Sequence, residues 1–337
     1  YAATFDAVPC FTAKISDIDV DYIKNDYLPK MIDQEVLSED TRDIKEQMAA
    51  IHLYDLEHDC PTYAALILFG KNPRYYMPGA YVQFVHFAGD NTGTEILNER
   101  RFEGSLSTML PKLESFIRDA IVTARPVPIS VLREKTVYNY PYQALRELMM
   151  NACMHRDYQS NMPIRLYQYN DHIEIMNAGG LYGEARPENF PMVNDYRNPL
   201  VAEAMRGMKY VNMFNRGIKR VRELLNENNN PKPEFNVNLI TVFQVVVGQA
   251  TDDEEQIIPV KDDKKDDKKD DKKELSERQT IIVKILLENP SITIKELANR
   301  TGISTSTINR EIEKINQLGV SISREGGKTY GKWIVKL

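Results

Sequence analysis

The sequence predicts an α+β chain of several domains: an α/β body, a charged tether and a small helical tail domain. Three observations carry this. A chain of 337 residues is long enough for two or three cores, and 42% hydrophobic with 27% charged residues is ordinary globular composition. Helical and alternating apolar patterns interleave as far as residue 250. Asp-Asp-Lys-Lys then recurs three times between Asp262 and Lys273, a run with nothing to bury, before periodic pattern resumes. The boundaries read as a helical segment over 1–60, an α/β body over 61–250, a charged linker over 251–274 and the tail over 275–337.

Composition excludes several classes. No apolar run approaches the roughly 18 residues of a membrane span. The chain opens Tyr1-Ala2-Ala3-Thr4, without initiator methionine or secretory pattern, so a fragment or processed product lacking an upstream domain is expected. Cys10, Cys60 and Cys153 are odd in number and far apart, which fits neither a disulfide framework nor a zinc cluster and points to a reducing cytoplasm. Residues 275–337 hold ten Lys and Arg against six Asp and Glu, a net of +4, which leaves −10 for the rest. The tail suits a polyanion better than the acidic body does.

Taken in order, Ser16-Asp17 caps a first helix carrying Ile18, Val20, Tyr22, Ile23 and Leu28, and 41–51 forms a second amphipathic run. His52 and His58 lie near Asp55, Glu57, Asp59 and Cys60, but without metal-ligand spacing. Residues 62–70 are a buried helix or strand, and Gly70-Lys71 lacks the glycine-rich approach of a phosphate loop. Residues 81–87 alternate as a strand, 96–102 return beside it, and 105–123 form an amphipathic helix. Pro126 and Pro128 mark a break. Residues 163–169 and 172–176 form strands around the two-residue turn Asn170-Asp171, and 239–247 close the body as a buried strand.

Between these lies the helix from Tyr142 to Tyr158, on which Glu147, Asn151 and His155 recur every four residues and so share one side. A carboxylate and a carboxamide on one face supply a base and an amide oxygen for a hard cation, as a magnesium-nucleotide site requires. Asn177-Ala-Gly-Gly-Leu-Tyr-Gly183 follows, where glycines let backbone approach a ligand, and Gly217 opens a helix whose free amides suit phosphate. His155-Arg156-Asp157 copies a kinase triplet, but Asn161 falls one residue short and no Asp-Phe-Gly follows. It reads as a helix-ending turn.

Arg146-Glu147 to Asn151-Ala152, His155 to Tyr158, Ile173 to Leu181, Arg197-Asn198-Pro199 and Arg216-Gly217-Ile218 resemble, in that order, the C-terminal ATP-binding module of RecG-like ATP-dependent DNA helicases and Schlafen AlbA-domain transcriptional regulators. The resemblance spans most of residues 60–250, with the module at about 138–250, and implies the Bergerat ATP-binding fold of gyrase, histidine kinases and MutL. It implies that Glu147 is the base activating water and that Asn151 holds Mg²⁺ through its amide oxygen. It implies that Asn177, Gly179 and Gly180 line the adenine end of ATP, with Arg216 and Gly217 at the phosphate end. It also implies an AlbA-like domain upstream. Two departures favour binding over turnover: an uncharged Asn177 stands where catalytic relatives carry aspartate, and Asn215-Arg216-Gly217 offers a single glycine. Neither a Walker lysine loop nor motor motifs are present, so helicase activity is not expected from this chain.

In the tail, Ile281, Ile282, Ile285 and Leu286 form a first helix, 294–298 start a second, Gly302 turns, and Ser304 caps a third whose core side is Ile308, Ile312 and Ile315. Residues 320–324 and 332–336 pair as a wing. This resembles winged-helix transcriptional regulators. Thr305, Ser306, Asn309 and Arg310 lie opposite the core side, where Asn favours adenine and Arg guanine, and Arg324, Lys328 and Lys332 on the wing suit phosphates of double-stranded DNA. The expected function is a bacterial-type, homodimeric DNA-binding transcriptional regulator with an ATP-binding module. The alternatives are an Mg²⁺-dependent ATPase acting on DNA, and a dimerisation platform with a vestigial pocket.

Overall fold

The computed structural model describes residues 3–130, 133–211, 217–250, 276–301, 303–317, 320–325 and 332–336. The chain divides into two units, Tyr1–Ile257 and Ile258–Leu337, each with its own apolar core. The 251–274 linker lies outside the described residues.

The first unit is built on a six-stranded sheet of β1 (Val82–Phe87), β2 (Ile96–Phe102), β3 (Ile164–Gln168), β4 (His172–Ala178), β5 (Glu234–Asn236) and β6 (Val242–Gly248). Its order is β2-β1-β3-β4-β6-β5. Neighbours are antiparallel except β1 and β3, whose parallel pairing needs a long crossover. That crossover carries α2 (Leu106–Phe116) and α3 (Tyr142–His155); α1 (Tyr63–Phe69) precedes the sheet, and α4 (Pro199–Gly207) and α5 (Gly217–Glu227) lie between β4 and β5. Asn170 and Asp171 make the expected turn, with Tyr169 N–H donating to the His172 carbonyl at 2.8 Å.

Alternation decides which face is covered. Val82, Phe84, Leu166, Ile173 and Ile175 belong to the core shared with the helices. On α3, Ala144, Leu145, Leu148, Met149, Ala152 and Cys153 are buried against it. Each buried Leu or Met stabilises by roughly 1.5–3 kcal/mol, so the polar residues of α3 stand on a fixed support. Residues 1–60 contribute Cys10, Ile18, Ile23, Tyr27, Leu28 and Met48 to this same core. Asp6 ties them to α4 by accepting Leu200 and Val201 N–H at 2.8 and 3.1 Å.

Several expectations are corrected. Asp19, not Ser16-Asp17, caps the first helix through Tyr22 N–H at 3.1 Å. The stretch with Pro126 and Pro128 is no break but a ribbon, Ala124–Ser130 paired with Arg133–Tyr138; proline is tolerated where its missing N–H would face away from the partner strand. The last strand begins only at Val242, with Leu239 43% and Ile240 91% exposed, because an apolar run alone does not distinguish strand from loop.

The second unit has α6 (Glu277–Glu288), α7 (Ile294–Thr301), α8 (Thr305–Gln317) and the antiparallel pair β7 (Ser321–Glu325) and β8 (Lys332–Lys336). Ile308, Ile312 and Ile315 of α8 enter its core, as does Val283 in place of the more exposed Ile281. Ser276 and Gln279 form a capping box at α6, and Ser304 Oγ accepts Thr307 N–H at 3.3 Å. Trp333 closes the core, with Nε1 donating to the Ile292 carbonyl at 2.8 Å.

Candidate functional site

A cleft of about 120 Å³, partly open to solvent, lies between α3, the ends of β4 and β6, the start of α5 and the segment following β4. Glu147, Asn151, Asn177, Gly179, Gly180 and Gly217 all line it. Arg216 and Asn215 lie outside the described residues. Glu147 is 5% exposed, and its carboxylate lies against Gly217: a Cβ added there would stand 2.3 Å from Glu147 Oε1. The absent side chain makes room for the carboxylate at the positive end of α5.

Asn177 is 2% exposed, and its Nδ2 donates to the Ala178 and Gly179 carbonyls at 3.0 and 3.4 Å. These bonds fix the amide and assign the acceptor role to its oxygen. Gly179 takes φ of +85°, a conformation L side chains rarely adopt. Gly180 is required by close approach: a Cβ would stand 2.8 and 2.7 Å from the Leu239 and Ile240 carbonyl oxygens. These glycines therefore serve the protein's own packing as well as lining the cleft.

The His-Arg-Asp turn and the Arg-Asn-Pro motif hold the cleft from behind. Arg156 is buried and donates to the carbonyls of Gly79, Asp157, Ser160 and Met162, with its guanidinium 4.8 Å from the Tyr158 ring centroid. Asn198 Nδ2 donates to the Met154 and Arg156 carbonyls at 3.0 and 2.8 Å, satisfying the end of α3. Arg197 reaches the Gly180 carbonyl at 3.4 Å and lies over Tyr182. His155 lines the cleft and stacks on Tyr196 with centroids 5.5 Å apart. Burial, aided by the Arg197 charge, pushes its pKa down to about 4, so the imidazole is neutral at pH 7.

Sequence reasoning missed the second wall of the cleft. Tyr182, Phe190, Val193 and Tyr196 come from a stretch without periodicity, and Phe190 packs on Phe235 and Phe243 at 5.4 and 5.8 Å. An apolar cleft with few fixed polar groups is the usual form of a small-molecule site. Among the described residues no three of His, Cys, Asp and Glu converge as a metal site. Asp55 is paired with His58, and Asp59 with Lys45.

In the second unit, Thr305, Asn309 and Arg310 are exposed on α8, away from its core residues, and Lys332 is exposed on β8. The Ser306 side chain and Lys328 lie outside the described residues. Arg324 is not a free wing cation as expected: it is half-buried, its guanidinium lies 5.0 Å from the Trp333 ring centroid, and Nη1 is 3.5 Å from the Ile292 carbonyl. Its side chain binds the wing to the core.

Known proteins place both units. No curated protein matches the chain. The whole chain is similar in fold to the crystal structure of the DIP2311 protein from Corynebacterium diphtheriae, at 17% identity and a TM-score of 0.55, covering 99% of this chain and 65% of that one. The chain thus spans about two-thirds of that protein's length. Residues 161–247 match the family described as "Putative ATP-dependent DNA helicase recG C-terminal", a narrower match than the resemblance implied; it includes Asn177 and Gly217 but begins after α3. No helix among the described residues is long and apolar enough to cross a membrane. With residues 278–331 matching the HTH domain family, the chain joins a RecG C-terminal-like module, which points to nucleotide, to a helix-turn-helix domain, which points to DNA.

Proposed function

We propose that the chain is a DNA-binding transcriptional regulator whose body takes an adenine nucleotide in the α3 cleft. The observation carrying this is the meeting of Glu147, Asn151, Asn177, Gly179, Gly180 and Gly217 around one cavity. The Asn177 oxygen suits the amino group of adenine and opposes guanine, which presents an oxygen there. Asn151 offers one amide oxygen to Mg²⁺; that cation commonly takes one or two protein ligands and completes its shell with phosphates and water. The tail would read duplex DNA with Thr305, Ser306, Asn309 and Arg310 and hold phosphates with Lys328 and Lys332, as a homodimer in a reducing cytoplasm. Titration calorimetry with ATP and GTP, with and without Mg²⁺, tests the body. Equal affinity for the two, or none for either, refutes it. Duplex affinity that does not fall with salt refutes the DNA reading.

The second reading, an Mg²⁺-dependent ATPase, is favoured by the buried Glu147 beside Gly217. Glu147 would accept a proton from the attacking water. Phosphate release by the parent and its loss in Glu147→Gln would support it; no release by the parent ends it.

A further inference from the structure

Glu147, Asn151 and His155 share one side of α3, and all three line the cleft. They do not serve the same end of it. Glu147 lies beside Gly217, where an added Cβ would stand 2.3 Å from its carboxylate. His155 stands two turns further along the helix, roughly 12 Å from Glu147 along the axis. There α3 is fastened to the glycine turn that follows Asn177. Asp157 N–H donates to the Ala178 carbonyl at 2.8 Å, and a Cβ on Gly179 would lie 3.1 Å from the Cβ of Asp157. Arg197, whose charge acts on His155, stands at the same turn, with Nη2 3.4 Å from the Gly180 carbonyl. His155 therefore belongs to the Asn177 end of the cleft, and Glu147 to the Gly217 end.

The imidazole is held in place, yet the protein makes no use of its nitrogens. It stacks on Tyr196, with centroids 5.5 Å apart and planes inclined by 13°, and the Arg206 guanidinium lies 5.2 Å from the centroid of that tyrosine ring. Packing of this kind locks a side chain in one orientation. The imidazoles of His58 and His172 are taken by neighbouring carboxylates. Among the described residues, no group is hydrogen-bonded to Nδ1 or Nε2 of His155, and neither nitrogen is sealed in the interior. What they meet is the cleft. Burial and the Arg197 charge keep the ring neutral at pH 7, so it offers one donor and one acceptor. That pair suits the ring nitrogens and hydroxyls of a nucleoside; phosphate is bound more strongly by charged donors.

We propose that His155 hydrogen-bonds the nucleoside part of the bound nucleotide at the Asn177 end of the cleft, with Tyr196 holding its ring in position. This rests on the reading that the cleft takes an adenine nucleotide. It adds that recognition extends to the nucleoside alone: adenosine, without phosphate or Mg²⁺, binds through Asn177 and His155 together. A histidine that only packed on Tyr196 would tolerate replacement of its nitrogens by carbon.

Titration calorimetry of the full chain with adenosine and with Mg²⁺-ATP tests this on the parent and two variants. His155→Phe keeps a flat ring against Tyr196 without nitrogens, and His155→Gln keeps a donor and an acceptor without the ring. His155→Phe should raise Kd at least about fivefold, by the same factor for both ligands, as the loss of one hydrogen bond in a cleft does. His155→Gln should bind both more tightly than His155→Phe. Unchanged affinity in His155→Phe, or a glutamine variant no better than it, reduces His155 to packing and overturns the proposal. A loss confined to Mg²⁺-ATP puts His155 at the phosphates and overturns it too, as does a parent that takes Mg²⁺-ATP but no adenosine at about 1 mM. Should a variant not fold, the ¹⁵N-labelled parent decides. Of its five histidines, His52, His58, His86 and His172 do not line the cleft, so adenosine should shift the ring nitrogens of one alone, and no shift refutes the contact. A parent that binds neither ligand refutes the nucleotide reading itself, whereas binding of both with the variants unchanged refutes only the role of His155.

Discussion

Gly217→Ala tests whether the cleft depends on the position of one carboxylate. The added Cβ would stand 2.3 Å from Glu147 Oε1, 3.2 Å from its Cδ and 3.5 Å from its Cγ. Contact at about 3.5 Å is the nearest comfortable approach, so the carboxylate must retreat by about 1 Å. It is the end of a flexible side chain and can do so by leaving its rotamer, at about 0.5–1.5 kcal/mol. Replacing glycine at the first position of α5 returns about 0.4–1 kcal/mol through the unfolded chain. The two nearly cancel, and the urea midpoint should move by less than ~1 kcal/mol equivalent. Function should not be spared, because a displacement of about 1 Å near the reacting atoms lowers rates by up to about 100-fold. Phosphate release, or nucleotide affinity by calorimetry if the parent does not turn over, should fall at least about tenfold. Unchanged activity with unchanged stability would refute the reasoning. A loss above about 3 kcal/mol would show that the Cβ meets something less yielding than a carboxylate end.

Three further outcomes are expected. The unfolded imidazole of His155 titrates near 6.5 and the folded one near 4, so the unfolded chain binds the extra proton between these values and stability is lost as pH falls through that window. By pH 5 the loss is about 2 kcal/mol, and His155→Gln should remove that part of the urea-midpoint difference between pH 7 and 5. Asn198→Ala strands the Met154 and Arg156 carbonyls and should cost about 1–3 kcal/mol in the same assay. Arg310→Ala should weaken specific duplex binding by about 1–3 kcal/mol, whereas Lys332→Ala should weaken all sequences alike and lower the salt slope by about 1.

Local chemistry made much of this legible. The alternation of Val82 to Phe87, the Asn170-Asp171 turn and the Ile308/Ile312/Ile315 stripe each act within one element, so spacing alone reveals them. Glu147 and Asn151 were legible for the same reason: four residues along one helix fix their relation. What spacing does not carry is which distant segments meet. The aromatic wall of Tyr182, Phe190 and Tyr196 is set by long-range packing on Phe235 and Phe243, and nothing in its own stretch repeats. Arg324 looked like a wing cation because sequence gives its charge and not the Trp333 ring beneath it. The prolines at 126 and 128 misled because their effect depends on which edge of a strand they occupy.

The carbonyls packed against Gly180 also fix what the cleft is attached to. Leu239 and Ile240 stand just before β6, and Gly179 N–H is bonded to the Thr241 carbonyl at 2.8 Å, so the rim and the root of that strand are one unit. At its far end, Gln249 and Ala250 N–H donate to the Asp171 and Asn139 carbonyls, the last such bonds among the described residues before the Asp-Asp-Lys-Lys run. A single strand thus has the glycine turn of the cleft at its head and the departure of the tether at its foot. Asn139, whose carbonyl accepts Ala250 N–H at that foot, also roots the proline ribbon, so the cleft's strand and the ribbon share one anchor.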